Sequence, residues 1–246
     1  MSSTTTITAA KDTYLNARRG TQNYGSETTM TIGALYSFGS WFKLNAVMSF
    51  DVSGITDPSS ITKAILTLGF DSTSGSTTQT ATLARLNQDF AETEATWIGA
   101  ETSEAWSGGY GAFGNAETTQ PTYTFSVGSG VSANVTIDIK DLVIDAITRR
   151  SGTLLLVASI SGTPSGAASG NTDFDTKENL SNQTALVVTQ AERIVWSGAT
   201  SGNMATDSNW VGGTKPDYDD FAMFIEDGQT STPVVGSLVC SRVYFG

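Results

Sequence analysis

Residues 44–70 read LNAVMSFDVSGITDPSSITKAILTLGF, and their period decides the fold. Leu44, Ala46, Met48, Phe50 and Val52 alternate with Asn45, Val47, Ser49 and Asp51. A period of two puts one apolar set on one face of an extended strand. Ser53-Gly54 and the run Thr56-Asp57-Pro58-Ser59-Ser60 then interrupt it with turn chemistry. The alternation resumes with Ala64, Leu66, Leu68 and Phe70 on one side. Two strands joined by a turn, each with one apolar face, require a sheet with a buried side.

Working outward, residues 4–9, 12–16, 29–33, 80–86, 123–127, 135–139, 153–160 and 185–189 read as further short strands. Residues 34–43, ALYSFGSWFK, read as an aromatic-rich loop, and residues 71–78 as a Ser/Thr/Gly loop. A helix starts within residues 138–141 and runs through 149. Leu142, Val143, Ala146 and Ile147 lie on one of its faces, an Asp caps its start, and Arg149-Arg150 suit its C-terminal dipole. Many strands with one short helix specify an all-β chain, an antiparallel jelly-roll β-sandwich. Its core is expected at Met48, Phe50, Leu66, Leu68, Leu154, Leu156 and Leu186.

Composition narrows function. The 246 residues carry a formal net charge of -11, so duplex nucleic acid and anionic membrane are poor partners. There is no histidine, which excludes Ser-His-Asp and Cys-His catalysis and histidine zinc sites. The single cysteine, Cys240, forms no internal disulfide. The first residues, MSSTTTITAAKD, lack the apolar and basic regions of a secretory signal, and no run reaches membrane-spanning length.

Three stretches could carry chemistry. Glu92 and Glu94 lie two apart in an extended segment and form the one candidate for a catalytic carboxylate pair. Their plainer role is to accept hydrogen bonds in an ordered loop. Residues 105–115, AWSGGYGAFGN, set Trp106, Tyr110 and Phe113 among glycines; with Trp41 these are candidate sugar-stacking rings, Trp106 being open to the alternative of inward packing. Residues 172–178, TDFDTKE, offer Asp173, Asp175 and Glu178 as oxygen ligands for a structural calcium, without the glycine and full spacing of a calcium loop.

The style of the chain changes near residues 190–193, which divides it into residues 1–190 and a small β-rich piece, residues 191–246. The second piece carries Trp196-Ser-Gly198, Asn209-Trp210-Val-Gly-Gly213 and Pro216 before Asp220. About fifty residues make a marginal core alone. Trp196, Trp210, Tyr218, Phe221, Phe224, Tyr244 and Phe245 are dense for so small a piece. Residues 234–235, 238–239 and 243–245 read as edge strands. An assembly interface is therefore expected at Trp196, Trp210, Phe221, Phe224, Tyr244 and Phe245.

Taken in order, Asp12-Thr13-Tyr14-Leu15-Asn16, Asn23-Tyr24-Gly25, Ile32-Gly33, residues 49–55 (SFDVSGI), Glu92 before Thr96-Trp97, Ile137-Asp138-Ile139 with Asp141-Leu142-Val143, and Phe174 before Lys177-Glu178 resemble the DNRLRE-type module. That resemblance covers about three quarters of the chain. It implies a jelly-roll sandwich related to carbohydrate-binding modules. The remainder resembles a Trp-x-Gly, Asn-Trp-x-x-Gly, Pro-x-x-x-Asp motif of bacterial surface and phage proteins. The pairing, without a signal peptide, is similar to tailed-phage virion proteins. It implies a non-catalytic structural protein on the virion surface, decorating a capsid or forming a head fibre or tail. Its expected partners are other virion subunits such as a major capsid protein, further copies of itself, and host surface glycans, with no nucleic acid and no membrane. No cofactor is expected beyond the calcium just named. The alternative is a carbohydrate-binding module of a secreted bacterial enzyme or adhesin, at the cell surface or outside it.

Overall fold

A computed structural model describes residues 2–112, 116–117, 119–160, 168–197, 203–217, 220–224 and 242–245. Phe113, Tyr218, Cys240 and the strands expected at residues 234–235 and 238–239 lie outside them. In chain order the strands are β1 (Ser3–Thr8), β2 (Lys11–Asn16), β3 (Thr29–Ser37), β4 (Ser40–Asp51), β5 (Ile61–Gly75), β6 (Thr78–Leu86), β7 (Gly99–Glu101), β8 (Glu104–Ala105), β9 (Ala116–Glu117), β10 (Tyr123–Gly128) and β11 (Val135–Asp138). Helix α1 (Lys140–Arg149) follows, then β12 (Thr153–Ile160), β13 (Gly170–Asp175), β14 (Ala185–Gln190), β15 (Arg193–Val195), β16 (Phe221–Phe224) and β17 (Arg242–Phe245). No helix among the described residues is long and apolar enough to cross a membrane.

The chain forms two compact units, one of residues 6–56 and 65–187, the other of residues 1–5, 57–64 and 188–246. In the larger unit the strands run β5-β13-β3-β4-β12-β6-β10, all antiparallel. β4 is the hub. Residues 40–44 pair with β3, residues 44–49 with β2, and residues 46–51 with β12. β10 folds back opposite β13: Phe125 meets Phe174 edge to face at 6.3 Å, and the Gly128 N–H donates to Thr172 Oγ1 at 2.8 Å. This is an all-β sandwich, with a single α-helix among the described residues, as the alternation of residues 44–70 requires. Met48, Phe50, Leu66, Leu68, Leu154, Leu156 and Leu186 are all removed from solvent.

The second row of β4 is also buried. Asn45, Val47 and Ser49, which alternate with the apolar set of Leu44 to Val52, all lie inside. The segment from residue 87 to residue 112 covers that face. Phe90, Ala95, Ala100, Trp106 and Ala112 pack with Leu15, Val47, Ala84, Leu86 and Val157 in a second apolar core. A period-two strand has both faces buried when a long excursion lies over it.

Three local expectations are corrected. Residues 34–43 are a β-hairpin, β3 turning into β4 over Phe38-Gly39, and not a loop. β5 continues to Gly75, because β13 pairs with residues 69–75. α1 begins at Lys140 after Ile139, which makes no side-chain cap; Asp138 accepts the Lys140 N–H instead.

In the smaller unit, Asp57 caps the 3-10 turn Pro58–Ser60. The Ala191 N–H donates to the Ser60 carbonyl at 2.8 Å, and Arg193 pairs with Asp57 at 2.8 Å. β15, β16 and β17 pair in parallel. Trp196 and Trp210, expected at an interface, pack instead on each other. Their rings meet edge to face at 5.1 Å, with Ile194, Ala222 and Met204 around them. Both are nearly fully buried. Phe221 and Phe224 lie in β16, and Tyr244 and Phe245 in β17; their side chains fall outside the described residues.

Candidate glycan-binding surface

The hairpin tip and the 3-10 turn Ala17–Arg19 build one edge of the site. Phe38 and Gly39 both have left-handed backbone, φ 51° and 77°. Two successive positive φ values make the turn whose twist suits a two-residue hairpin, and Asn-Gly is its favoured pair. Phenylalanine at the first position is costly to the turn, and the ring is 88% exposed. Arg18 places its guanidinium 4.9 Å above it. Asn16 holds Arg18 there by accepting its N–H at 2.9 Å. Behind the tip, Tyr36 and Trp41 stand opposite in register and meet edge on at 5.2 Å.

The chain after Arg19 then enters a cleft of about 530 Å³. Thr21 and Asn23 form one wall and residues 93–105 the other, with Thr93, Thr96, Thr102 and Ser103 lending hydroxyls and Glu94, Glu101 and Glu104 carboxylates. The walls are braced from behind. Asn23 Nδ2 donates to the carbonyls of Glu92 and Ala95 at 2.7 and 2.8 Å, and Trp106 Nε1 donates to that of Thr96 at 2.8 Å. Gly25 lets the two segments touch, since a Cβ there would sit 2.1 Å from the Glu92 carbonyl oxygen. Hydroxyls, amides and carboxylates on a fixed wall can exchange hydrogen bonds with a polyol, and exposed rings can cover the C–H face of a pyranose.

The stacking candidates separate. Trp41 is half-buried against Tyr36, and Tyr110 is 70% exposed. Trp106 is 3% exposed and packs into the second core, so its ring has no face for a sugar. Glu92 and Glu94 point to different partners. Glu92 Oε1 accepts the Asp12 N–H at 2.7 Å, while Glu94 Oε2 accepts the Thr102 N–H at 2.9 Å. The Thr102 bonds hold the Glu94 carboxyl below the usual carboxylate range, the reverse of what a general acid needs.

Asp173, Asp175 and Glu178 do not meet. Asp173 accepts the hydroxyls of Thr31 and Ser72 at 2.6 and 3.0 Å. Asp175 accepts the side-chain amides of Asn179 and Asn182 at 2.5 and 3.0 Å. Glu178 joins Asp12 and Glu92. Lys177 donates to Glu92 Oε1 at 2.9 Å and to Glu178 Oε1, and Asp12 Oδ2 accepts the Lys177 N–H at 2.9 Å. Burial pushes the Asp12 carboxyl up to about 7, against the pull of the Lys177 N–H. Glu178 and Glu92 raise the Lys177 ammonium by more than burial lowers it.

Sequence reasoning missed Phe38, Arg18 and the meeting of Asp12 with Glu178. For Phe38 a signal existed: an aromatic beside Gly39 between two alternating segments, where a hairpin turn wants asparagine. For Asp12 and Glu178, 166 residues apart in the chain, period and spacing carried none.

Residues 3–190 match the model of carbohydrate-binding module family 96. No curated protein matches the chain.

Proposed function

We propose, from the premise that this chain belongs to carbohydrate-binding module family 96, that it is a non-catalytic module binding a saccharide between the hairpin tip and the adjoining cleft. The observation that carries this reading is Phe38. A large apolar ring is held in water on a left-handed backbone that disfavours it, with a guanidinium on one face. Strained backbone of this kind collects at ligand sites. Glu94, Glu101 and Glu104 on the cleft, with the net charge of -11, favour an uncharged sugar over a uronic or sulfated one. An array of neutral and acidic oligosaccharides, probed with the intact chain, tests this. Binding to neutral glycans supports the reading, and binding confined to acidic ones contradicts the charge argument.

The narrower reading places the module outside a cell, on the surface of a tailed-phage virion. There residues 191–246 act as the contact module to a capsid, fibre or tail subunit, and residues 1–190 face outward to host glycans. The Trp-x-Gly and Asn-Trp-x-x-Gly motif favours it, with β15–β17 pairing in parallel where the β5-β13-β3-β4-β12-β6-β10 sheet is antiparallel. With Trp196 and Trp210 packed on each other, the contact residues in this reading are Phe221, Phe224, Tyr244 and Phe245. Peptide mass spectrometry of purified virions tests it. A chain missing from the particles, or a chain ending at Gln190 that still joins them at full occupancy, refutes the assignment.

A further inference from the structure

β15, β16 and β17 form a separate sheet and pair in parallel in that order. β15 runs on through Trp196, where residues 209–211 take up its ladder groups. The Val211 N–H donates to the Val195 carbonyl and the Ser197 N–H to that of Asn209, each at 2.8 Å, and Trp196 bridges to Trp210. The packed Trp pair fixes that return of the chain. β17 has no such cover: beyond it no strand pairs among the described residues. An edge strand presents N–H and C=O groups that a further strand can bond. Val243, inside β17, is 45% exposed.

A second copy suits this edge. Antiparallel pairing of β17 with β17 across a twofold axis can be centred between Val243 and Tyr244. That register uses all four residues of the strand, with Arg242 opposite Phe245 and Val243 opposite Tyr244, each twice. A cation against an aromatic and a β-branched residue against an aromatic are both favourable cross-strand pairs, and no two arginines stand opposite. A contact of one patch with itself closes as a dimer and does not grow into a fibre. We infer that β17 pairs with β17 of a second copy, antiparallel about a twofold axis, so that residues 242–245 make this chain a dimer. This rests on the reading of residues 191–246 as a contact module and names one partner for it. A dimer carries two copies of the carbohydrate-binding module matched by residues 3–190, and two modules engaged on one repeating glycan gain avidity without new contacts.

The test uses the intact chain alone, with no glycan and no virion subunit. Sedimentation velocity and light scattering follow its mass over a wide range of concentration, and hydrogen exchange follows its backbone amides over the same range. The expected result is a monomer that becomes a dimer as concentration rises, with exchange at residues 242–245 slowing in step. Val243→Lys, a charge in the middle of an exposed edge, raises the dimer dissociation constant about tenfold or more, while Val243→Thr stays dimeric. A monomer at every concentration overturns the pairing and leaves the virion contact to the particle test above. So does a folded Val243→Lys that dimerises like wild type, or a mass that keeps growing past the dimer. If Val243→Lys does not fold, wild-type exchange decides: a dimer with unchanged protection at residues 242–245 overturns the assignment of the contact to β17.

Discussion

Replacing Phe38 with asparagine should strengthen the fold and weaken binding at once. A left-handed backbone costs an ordinary residue about 1–2 kcal/mol, and asparagine is among the residues that tolerate it best. Phe38 sits there at φ 51°. Against that gain stands the Arg18 contact at 4.9 Å, about 0.5–1 kcal/mol for an exposed cation on a ring. The core loses nothing, since the ring is 88% exposed. The midpoints of the two ranges leave a net stabilisation of about 0.75 kcal/mol, a rise in Tm of about 1.5–3 °C for a chain of this size. Loss of a stacking ring worth about 0.5–1.5 kcal/mol weakens saccharide affinity roughly 2- to 12-fold. Differential scanning calorimetry and isothermal titration read the two effects. A lower Tm together with unchanged affinity would refute the reasoning, because the ring would then serve the fold and not a ligand.

Leu68→Ala, at a position with no exposure, should cost about 2–5 kcal/mol in denaturant unfolding; a loss under about 1 kcal/mol would mean the core between the sheets is not close-packed there. Gly25→Ala forces a Cβ to 2.1 Å from the Glu92 carbonyl, so it should lower both Tm and saccharide affinity, and an unchanged affinity would show that the cleft wall does not depend on that contact. Glu94→Gln should leave polysaccharide hydrolysis at the background seen with wild type; turnover present in wild type and lost in the variant would make the protein an enzyme.

The sandwich was legible because a period of two in residues 44–70 leaves few alternatives, and all seven expected core positions, four of them in that stretch, are buried. Val47 and Asn45 show where that logic stops. Period assigns a residue to a face but not what covers the face, and the excursion through Trp106 covers it here. The same excursion took Trp106 out of reach of any ligand. Trp196 and Trp210 failed for a related reason. Aromatic density in a short segment signals either an interface or a small local core, and mutual packing decided for the core. The hairpin tip was misread as loop because residues 34–43 hold no long polar run, only a two-residue turn with phenylalanine in the asparagine place. Asp12 and Glu178 meet through the pairing of strands remote in sequence, which local pattern does not encode.

The most direct measurement is an NMR titration of the intact, isotope-labelled chain with the neutral oligosaccharide that binds best. Amide shifts should concentrate at Arg18, Thr21, Phe38, Thr96 and Thr102, around the hairpin tip and the cleft. Saturable shifts confined to other surfaces, or no shift with any glycan, would contradict the placement of saccharide binding at this site.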